Sequence, residues 1–453
     1  MNSSTITVTD LFCGAGGSTT GAVQAGAEVR LAVNHWPRAL ETHQTNYPGV
    51  EHVLTDISQT DPRRFPSTTL LIASPECTSH SLARGRRRKG QGQTELWKTS
   101  APDPCEERSR CTMWDPLRFA EYHQYPIVIL ENVVDVHYWR LWEAWLHAWQ
   151  ALDYTWEIVY LNSMCVPPTP QSRDRMYFVA WKRANRKPAL SIRPLAFCAH
   201  CGRDRQAVQC WKNPKRPWGK YGRGGQYVYR CPVCTREVRP YSFPAATAID
   251  WSLPIQRIGD RPRPLKANTL RRIAAGLEKF AREPDLAGRN PQRASAIAAH
   301  REPWPKPPTC DDTVSVSPAP FVAELHGTST ARPVAEALST VRAGGQHHGL
   351  VIPPAWLMAY YQTGQLSPVS EPASTVTTLE RHALIVAGST QEKPRVEDCG
   401  FRMLSPTEIQ AAMAFPSTYV VTGTRREQIK QLGNAVTPPV MKLLVSRCIA
   451  ALA

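Results

Sequence analysis

The chain has 453 residues, 42% of them hydrophobic and 20% charged, which is typical of a folded protein with a sizeable core and two or three domains. Its formal net charge of +16 favours a polyanionic partner such as nucleic acid, although a basic balance alone does not require one. The sequence lacks a run of about 18 apolar residues and a secretory signal, so we expect no membrane contact, and reduced cysteines rather than a disulfide framework.

Short apolar segments alternate with helical patterns over residues 6–182. The apolar segments predict buried strands at residues 6–12, 29–33, 70–73, 127–130, 155–161 and 175–181. Helical spacing predicts helices at residues 18–25, 38–46 and 138–152, the last of them rich in tryptophan. This alternation of strand and helix predicts an α/β fold with a parallel, doubly wound sheet.

A glycine-rich turn, Asp10–Gly17, lies between the first predicted strand and the first predicted helix. Glycines at such a turn let the backbone approach a ligand closely, and the N-terminus of the following helix favours a negatively charged group. The pattern therefore predicts a nucleotide-like cofactor at this turn. A tight turn without a ligand would give the same residues.

The composition changes near residue 185, where two Cys-x-x-Cys pairs occur within 37 residues. Four thiolates at this spacing predict a zinc ribbon with a structural Zn²⁺, held by Cys198, Cys201, Cys231 and Cys234. Basic and aromatic residues fill the loop between the two pairs. They suit contact with nucleic acid, and they equally suit the cover of a small core.

The second half of the chain contains an internal repeat. A helix is predicted from its N-cap Asn268, and a proline-rich linker from residue 283 to 320. Residues 321–351 and 356–386 then align with each other at an offset of 35 residues, which indicates a duplicated small module. Helical patterns return at residues 404–414 and 439–450.

Short motifs stand in a characteristic order along the chain. Besides Asp10–Gly17, they are Pro75-Glu76-Cys77, Glu131-Asn132-Val133, Pro170-Gln171-Ser172-Arg173-Asp174-Arg175, Arg402-Met403-Leu404-Ser405-Pro406-Thr407-Glu408 and Gly433-Asn434-Ala435-Val436. Together they resemble the C5-cytosine DNA methyltransferase family over residues 6–182 and 400–450. The resemblance implies a Rossmann-like, S-adenosylmethionine-dependent methyltransferase domain with an inserted zinc-binding and target-recognition region.

The resemblance also implies a domain organisation and a biological setting. Residues 1–185 and 399–453 would form the catalytic domain, residues 190–245 the zinc-ribbon insertion, and residues 246–398 the target-recognition region. We expect a monomer that acts on double-stranded DNA in the cytoplasm of a prokaryotic or phage-infected cell, in the context of restriction and modification.

Each catalytic residue receives a role from the resemblance. The target cytosine is flipped out of the duplex, the Cys77 thiolate adds at C6, and C5 then attacks the methyl group of S-adenosylmethionine. Glu131 would hydrogen-bond N3 and the exocyclic amine, while Arg173 and Arg175 would bind O2 and a nearby phosphate. The implied cofactor residues are Phe12, Gly14, Gly16, Gly17, Asn34, His35, Trp36, Asp56, Ile57, Pro75, Asn434 and Val436.

Two departures from the family pattern bear on the chemistry. The family has Pro-Cys-Gln-x-Phe-Ser where this chain has Pro-Glu-Cys-Thr-Ser-His-Ser at residues 75–81. We expect Glu76 to be an insertion and Cys77 the nucleophile, because the ungapped alignment puts a carboxylate in the nucleophile position. The family also has an acidic residue after the second strand, where this chain has Asn34, an amide that both donates and accepts hydrogen bonds.

Three other functions remain open at this stage. The same fold could act on tRNA, a related DNA base-modifying enzyme could use an altered cofactor or target base, and a catalytically silent homologue could bind DNA alone. A comparison of methylation activity on tRNA and on duplex DNA would separate the first from a DNA methyltransferase. Mass spectrometry of the product nucleosides would identify the second, and trapping on fluorinated cytosine the third.

Overall fold

The structure is a computed structural model that describes residues 5–76, 112–281, 321–325, 332–333, 337–338, 348–352, 355–359, 364–365, 382–386 and 395–453. The predicted nucleophile Cys77, the loop that follows it to residue 111 and the predicted linker at 283–320 lie outside these residues.

A seven-stranded sheet forms the centre of the catalytic half. Its strands are β1 (Thr7–Leu11), β2 (Glu28–Asn34), β3 (Glu51–Leu54), β4 (Leu70–Ala73), β5 (Ile127–Asn132), β6 (Tyr154–Asn162) and β7 (Asp174–Lys182), in the order β3-β2-β1-β4-β5-β7-β6. The first five run parallel, which confirms the predicted doubly wound sheet. β7 runs antiparallel to both β5 and β6, a departure from the all-parallel prediction.

The described helices include a C-terminal one that packs on the first helix and so brings the C-terminal segment back to the sheet. They are α1 (Gly17–Gln24), α2 (Pro37–Asn46), α3 (Asp115–His123), α4 (Trp142–Ala151), α5 (Ala267–Ala281), α6 (Pro406–Ala412), α7 (Arg425–Asn434) and α8 (Pro438–Leu452). A Cβ built on Gly21 of α1 would lie 2.6 Å from Cβ of Met441 in α8, so the glycine permits a close helix contact.

Aromatic side chains fill the core between α4 and the sheet. Trp145 and Trp149 are spaced four residues apart and therefore share one face of α4, where both are fully buried. Their rings lie 4.7 and 5.3 Å from that of Phe178 on β7. This packing accounts for the tryptophan-rich pattern of the helix and fixes β7 beneath it.

The cysteine-rich segment folds as two small antiparallel sheets beside the catalytic sheet. One pairs β8 (Leu195–Cys198) with β9 (Arg203–Gln206); the other joins β10 (Val208–Trp211), β11 (Tyr227–Arg230) and β12 (Glu237–Val238). The buried residues Tyr227 and Tyr229 belong to the same core cluster as the central sheet. The segment therefore packs on the catalytic half.

The repeat region contributes a further sheet. Its strands are β14 (Phe321–Leu325), β15 (Arg332–Pro333), β16 (His348–Ile352), β17 (Ala355–Ala359), β18 (Gly364–Gln365) and β19 (His382–Val386), while β13 (Gln256–Arg257) pairs with β20 (Gly400–Phe401). β14 and β17 pair in parallel with Val322 opposite Leu357, a register equal to the repeat offset of 35 residues. Each repeat thus supplies an equivalent strand. The predicted domain boundaries stay a prediction.

Within the described residues, the stretch Arg425–Leu452 is long and apolar enough to cross a membrane by length and composition. It consists of α7 and α8, which are separated by residues 435–437. Of its most apolar 18 residues, 56% are buried inside the fold. Core helices meet the same criterion, so the stretch is weak support for a membrane span.

Candidate active site

An ion pair between Glu131 and Arg175 lies at the end of β5 and the beginning of β7. Nε of Arg175 donates to Oε1 of Glu131 over 2.8 Å, and the two side chains are only 11% and 9% exposed. The pair follows from the strand register: Glu131 stands opposite Tyr177, so Arg175 is its diagonal neighbour on the same face. The structure therefore brings together two of the predicted catalytic residues.

The segment that leads to Cys77 is attached to the same strand end. Nδ2 of Asn132 donates to the carbonyl oxygen of Pro75 over 3.3 Å, and Oδ1 of Asn132 accepts the backbone N–H of Val133 over 2.8 Å. β4 and β5 are adjacent and parallel, so their carboxyl ends meet at one edge. Pro75 is thus held beside the strand end that carries Glu131, and Asn132 is a site residue that the sequence-based prediction missed.

Arg173 has a different environment from Arg175. Its guanidinium donates to the carbonyl oxygens of Gly433, over 3.2 Å, and Ala435, over 3.1 Å, and its side chain is buried. These bonds attach the start of β7 to the C-terminal segment at residues 433–435. The two accepting residues flank the predicted cofactor residue Asn434, whose side chain is exposed. The predicted contact of Arg173 with the base stays a prediction; its described bonds are to backbone.

The glycine turn near the N-terminus packs against the C-terminal segment around Val436. Phe12, Gly14 and Gly16 all adopt positive φ, of 58°, 53° and 78°. A Cβ on Gly17 would lie 2.0 Å from the carbonyl oxygen of Val436, so only glycine fits there. Within the described residues, a Cβ on Gly14 would have one neighbouring atom, the carbonyl oxygen of Phe12 at 3.9 Å, which leaves room for a ligand above the turn.

A buried polar network supports the turn from below. Oδ2 of Asp10 accepts hydrogen bonds from the hydroxyls of Ser18 (2.6 Å) and Thr19 (2.7 Å). Burial raises the pKa of Asp10 to about 6. Nε2 of His43 lies 2.9 Å from the Thr19 hydroxyl, and burial lowers the pKa of His43 to about 3. The network ties β1, α1 and α2 together.

The residues after β2 face Glu76. Oδ1 of Asn34 accepts the backbone N–H of Trp36 over 2.9 Å. The Asn34 amide therefore forms the turn. Next to it, Nδ1 of the exposed His35 lies 3.6 Å from Oε1 of Glu76.

The remaining predicted cofactor residues flank this edge of the sheet. Nζ of Lys430 lies 4.4 Å from the ring centre of Trp36. Asp56 is half-buried and accepts the backbone N–H of Ser58, whereas Ile57 is buried. The two residues follow β3, on the far side of β2 from the glycine turn.

The four predicted metal ligands converge, with sulfur atoms that all lie within 4.8 Å of one another. The Cys198–Cys234 and Cys201–Cys231 sulfur pairs are 3.5 and 3.8 Å apart. Tetrahedral thiolate ligands of zinc stand about 3.8 Å apart, given Zn–S bonds of about 2.3 Å. The two closest sulfur pairs are therefore near the spacing of a tetrahedral zinc site.

Comparisons with known proteins agree on one family. The sequence model described as C-5 cytosine-specific DNA methylase matches residues 6–198 and 331–450. The chain is 38% identical over 91 residues to the Type II methyltransferase M.HgiDI of Herpetosiphon aurantiacus, a match that covers 19% of this chain and 29% of that protein. It is 25% identical over 185 residues to the Type II methyltransferase M.DdeI of Desulfomicrobium norvegicum, covering 39% and 40%.

One solved structure with the same overall extent is the S. pombe Dnmt2 methyltransferase. It superposes with a TM-score of 0.48 and 12% identity, over 99% of this chain and 98% of that chain.

Proposed function

Because the chain belongs to the C-5 cytosine-specific DNA methylase family, we propose that it transfers a methyl group from S-adenosylmethionine to C5 of cytosine in double-stranded DNA. The curated relatives that it matches are bacterial Type II methyltransferases, which favours a cytoplasmic restriction–modification role, but the chain spans only 29% and 40% of two of them. The observation that carries the proposal is the nearly buried Glu131–Arg175 pair beside the Pro75–Asn132 tether.

The chemistry assigns distinct steps to this pair and to the thiol. Addition of the Cys77 thiolate at C6 makes C5 enamine-like, and a proton shared between Glu131 and N3 stabilises the negative charge that develops on the ring. Arg175 holds the Glu131 carboxylate in place and neutralises it, which costs little reorganisation because both side chains are already oriented. After methylation, C5 loses its proton to a water molecule, the C5–C6 double bond re-forms, and Cys77 leaves C6 as the thiolate.

The residues around the glycine turn fit the cofactor. The open space above Gly14 and the α1 N-terminus accept a carboxylate, while Val436 closes the turn behind Gly17. S-adenosylmethionine bound there supplies the electrophilic methyl group. We assign its ribose side to His35 and Trp36, and we propose that Glu76 supplies from β4 the carboxylate that Asn34 does not provide.

The cysteine-rich insertion fits a structural zinc ion. Four thiolates with closed coordination leave no open position for catalysis, so the role of the ion would be structural. Metal analysis of the purified protein tests this: we expect about one zinc per chain, and its loss in Cys201→Ser.

Trapping on DNA that contains 5-fluorocytosine tests the function. Fluorine at C5 blocks the final elimination, so a cytosine methyltransferase forms a stable covalent adduct that requires S-adenosylmethionine. We expect an adduct with the wild type and none with Cys77→Ser. An adduct with Cys77→Ser would refute the assigned nucleophile. A protein that binds DNA without an adduct would favour a silent homologue, and an adduct on tRNA alone an RNA methyltransferase.

A further inference from the structure

We propose that the cysteine-rich insertion positions the Glu131–Arg175 pair, because the loop between its cysteine pairs docks on both segments that carry the pair. We call residues 212–226, between β10 and β11, the docking loop. The catalytic importance of the pair rests on the proposed function, whereas the docking itself does not.

The first contact of the docking loop is with the residue that precedes Arg175. The backbone N–H of Tyr221 donates to Oδ1 of Asp174 over 2.9 Å, and burial raises the pKa of that carboxyl to about 6. The carbonyl oxygen of Asp174 in turn accepts Nη1 of Arg175 over 2.8 Å. The loop thereby fixes Asp174, the first residue of β7, which immediately precedes Arg175.

The second contact is with the turn that follows Glu131. Nζ of Lys220 lies 2.9 Å from Oδ2 of Asp135, whose side chain is 19% exposed. The ring of Trp218 stacks on that of His137, with 4.0 Å between centroids. Asp135 and His137 belong to the single helical turn Val134–Tyr138, which starts three residues after Glu131.

The docking loop is itself held in shape. Nζ of Lys212 donates to the carbonyl oxygens of Gly222 and Arg223, and Nε2 of Gln226 donates to those of Asn213 and Arg216. These bonds span the loop from one side to the other.

The cysteine cluster lies directly behind this loop. β11 leads from the loop into Cys231, and Gln209 on the partner strand β10 bonds the Tyr160 carbonyl oxygen of β6 over 2.9 Å. The cysteine cluster and the paired strands β10 and β11 therefore hold the base of the docking loop, which contacts Asp174, next to Arg175, and the turn that follows Glu131.

Positioning and direct DNA contact make different predictions for the same side chains. If the loop positions the pair, its loss lowers the rate of adduct formation at saturating DNA and leaves DNA affinity unchanged. If the loop instead binds phosphates, DNA affinity falls and the saturated rate is unchanged.

The test compares Trp218→Ala and Lys220→Ala with the matched control Lys215→Ala, which removes the same charge from an exposed side chain of the docking loop. We expect trapping at saturating 5-fluorocytosine DNA to slow on the order of tenfold in the first two proteins. The dissociation constants for DNA and S-adenosylmethionine should stay within about twofold, and the control should match the wild type. A loss of DNA affinity with an unchanged saturated rate would overturn the proposal.

Hydrogen exchange gives a readout that does not depend on activity. In Trp218→Ala, in Lys220→Ala and after zinc chelation, backbone amides of residues 131–138 and 174–176 should exchange faster, while those of α1 and β1 stay protected. Unchanged exchange at residues 131–138 and 174–176 would refute the docking role even if the wild type methylates DNA. Faster exchange in the variants, together with a wild type that forms no adduct, would refute the proposed function and retain the docking.

Discussion

Replacing Glu131 with glutamine removes one charge from the catalytic pair and retains its size. The change leaves the Arg175 guanidinium, 11% exposed, without its carboxylate partner. Breaking a buried pair from one side typically costs about 3–5 kcal/mol, and we expect about 3 kcal/mol because the glutamine oxygen still accepts from Nε. Glutamine also cannot share a proton with N3, so methyl transfer should fall on the order of 10³-fold.

The matched control is Glu157→Gln, the same substitution on β6. The Glu157 carboxylate lies 2.6 Å from Nζ of Lys187, but these side chains are 35% and 63% exposed, so its loss should cost under about 1 kcal/mol. Urea unfolding measures the stability difference, and transfer of labelled methyl to duplex DNA measures the rate. Equal unfolding midpoints for the two variants would refute the buried pair, and a wild-type rate in Glu131→Gln would refute its catalytic role.

Three further substitutions test the glycine turn and the strand ends beside it, where the cofactor is proposed to bind. Gly17→Ala should weaken S-adenosylmethionine binding and lower the melting temperature, because its Cβ would meet the Val436 carbonyl at 2.0 Å; Gly49→Ala, in open space, should change neither. Glu76→Gln should raise the calorimetric dissociation constant for S-adenosylmethionine about tenfold. Asp10 has a pKa of about 6 in the folded state, against 3.8 for an ordinary aspartate, so the folded state keeps the proton to a higher pH than the unfolded state. The contribution of Asp10 to the free energy of unfolding therefore falls by about 3 kcal/mol between pH 4 and 6. Asp10→Asn should lack this loss in urea titrations across that pH range.

The sequence predicted the parts of the fold that local pattern controls. β4 and β5 are buried on both faces, and this makes their residues a continuous apolar run that is readable without tertiary information. The four cysteines were predicted because metal ligands require a fixed spacing. The direction of β7 was not predicted, because an antiparallel buried strand has the same residue pattern as a parallel one.

The tertiary contacts of the site were harder to foresee. Arg173 bonds carbonyl oxygens about 260 residues further along the chain, and Asn132 bonds Pro75 across 57 residues. Contacts to backbone carbonyls leave no signature in the identity of the accepting residue. The motif that contains Arg173 was recognisable, but the bonds that distinguish it from Arg175 depend on how the C-terminal segment packs.

The position of Glu76 gives a physical reason for both departures from the family pattern. β2 ends at Asn34, whose side chain is an amide and accepts the Trp36 N–H, so this strand end provides no carboxylate to the cofactor side of the sheet. β2 and β4 flank β1, and their carboxyl ends open on the same side of the sheet. Glu76, which follows β4, reaches this edge, because its Oε1 lies 3.6 Å from Nδ1 of His35.

If Glu76, after β4, supplies the carboxylate that Asn34 does not, it should bind the cofactor and take no part in the addition of the Cys77 thiolate. Glu76→Gln should therefore weaken S-adenosylmethionine binding without abolishing the adduct on 5-fluorocytosine DNA at saturating cofactor. Glu28→Gln is the control, because that glutamate pairs with Arg30 over 3.0 Å at the opposite end of β2, where both side chains are exposed. If Glu76→Gln kept full cofactor affinity and lost the adduct, the carboxylate would belong to the base side, and the alignment with an inserted Glu76 would be wrong.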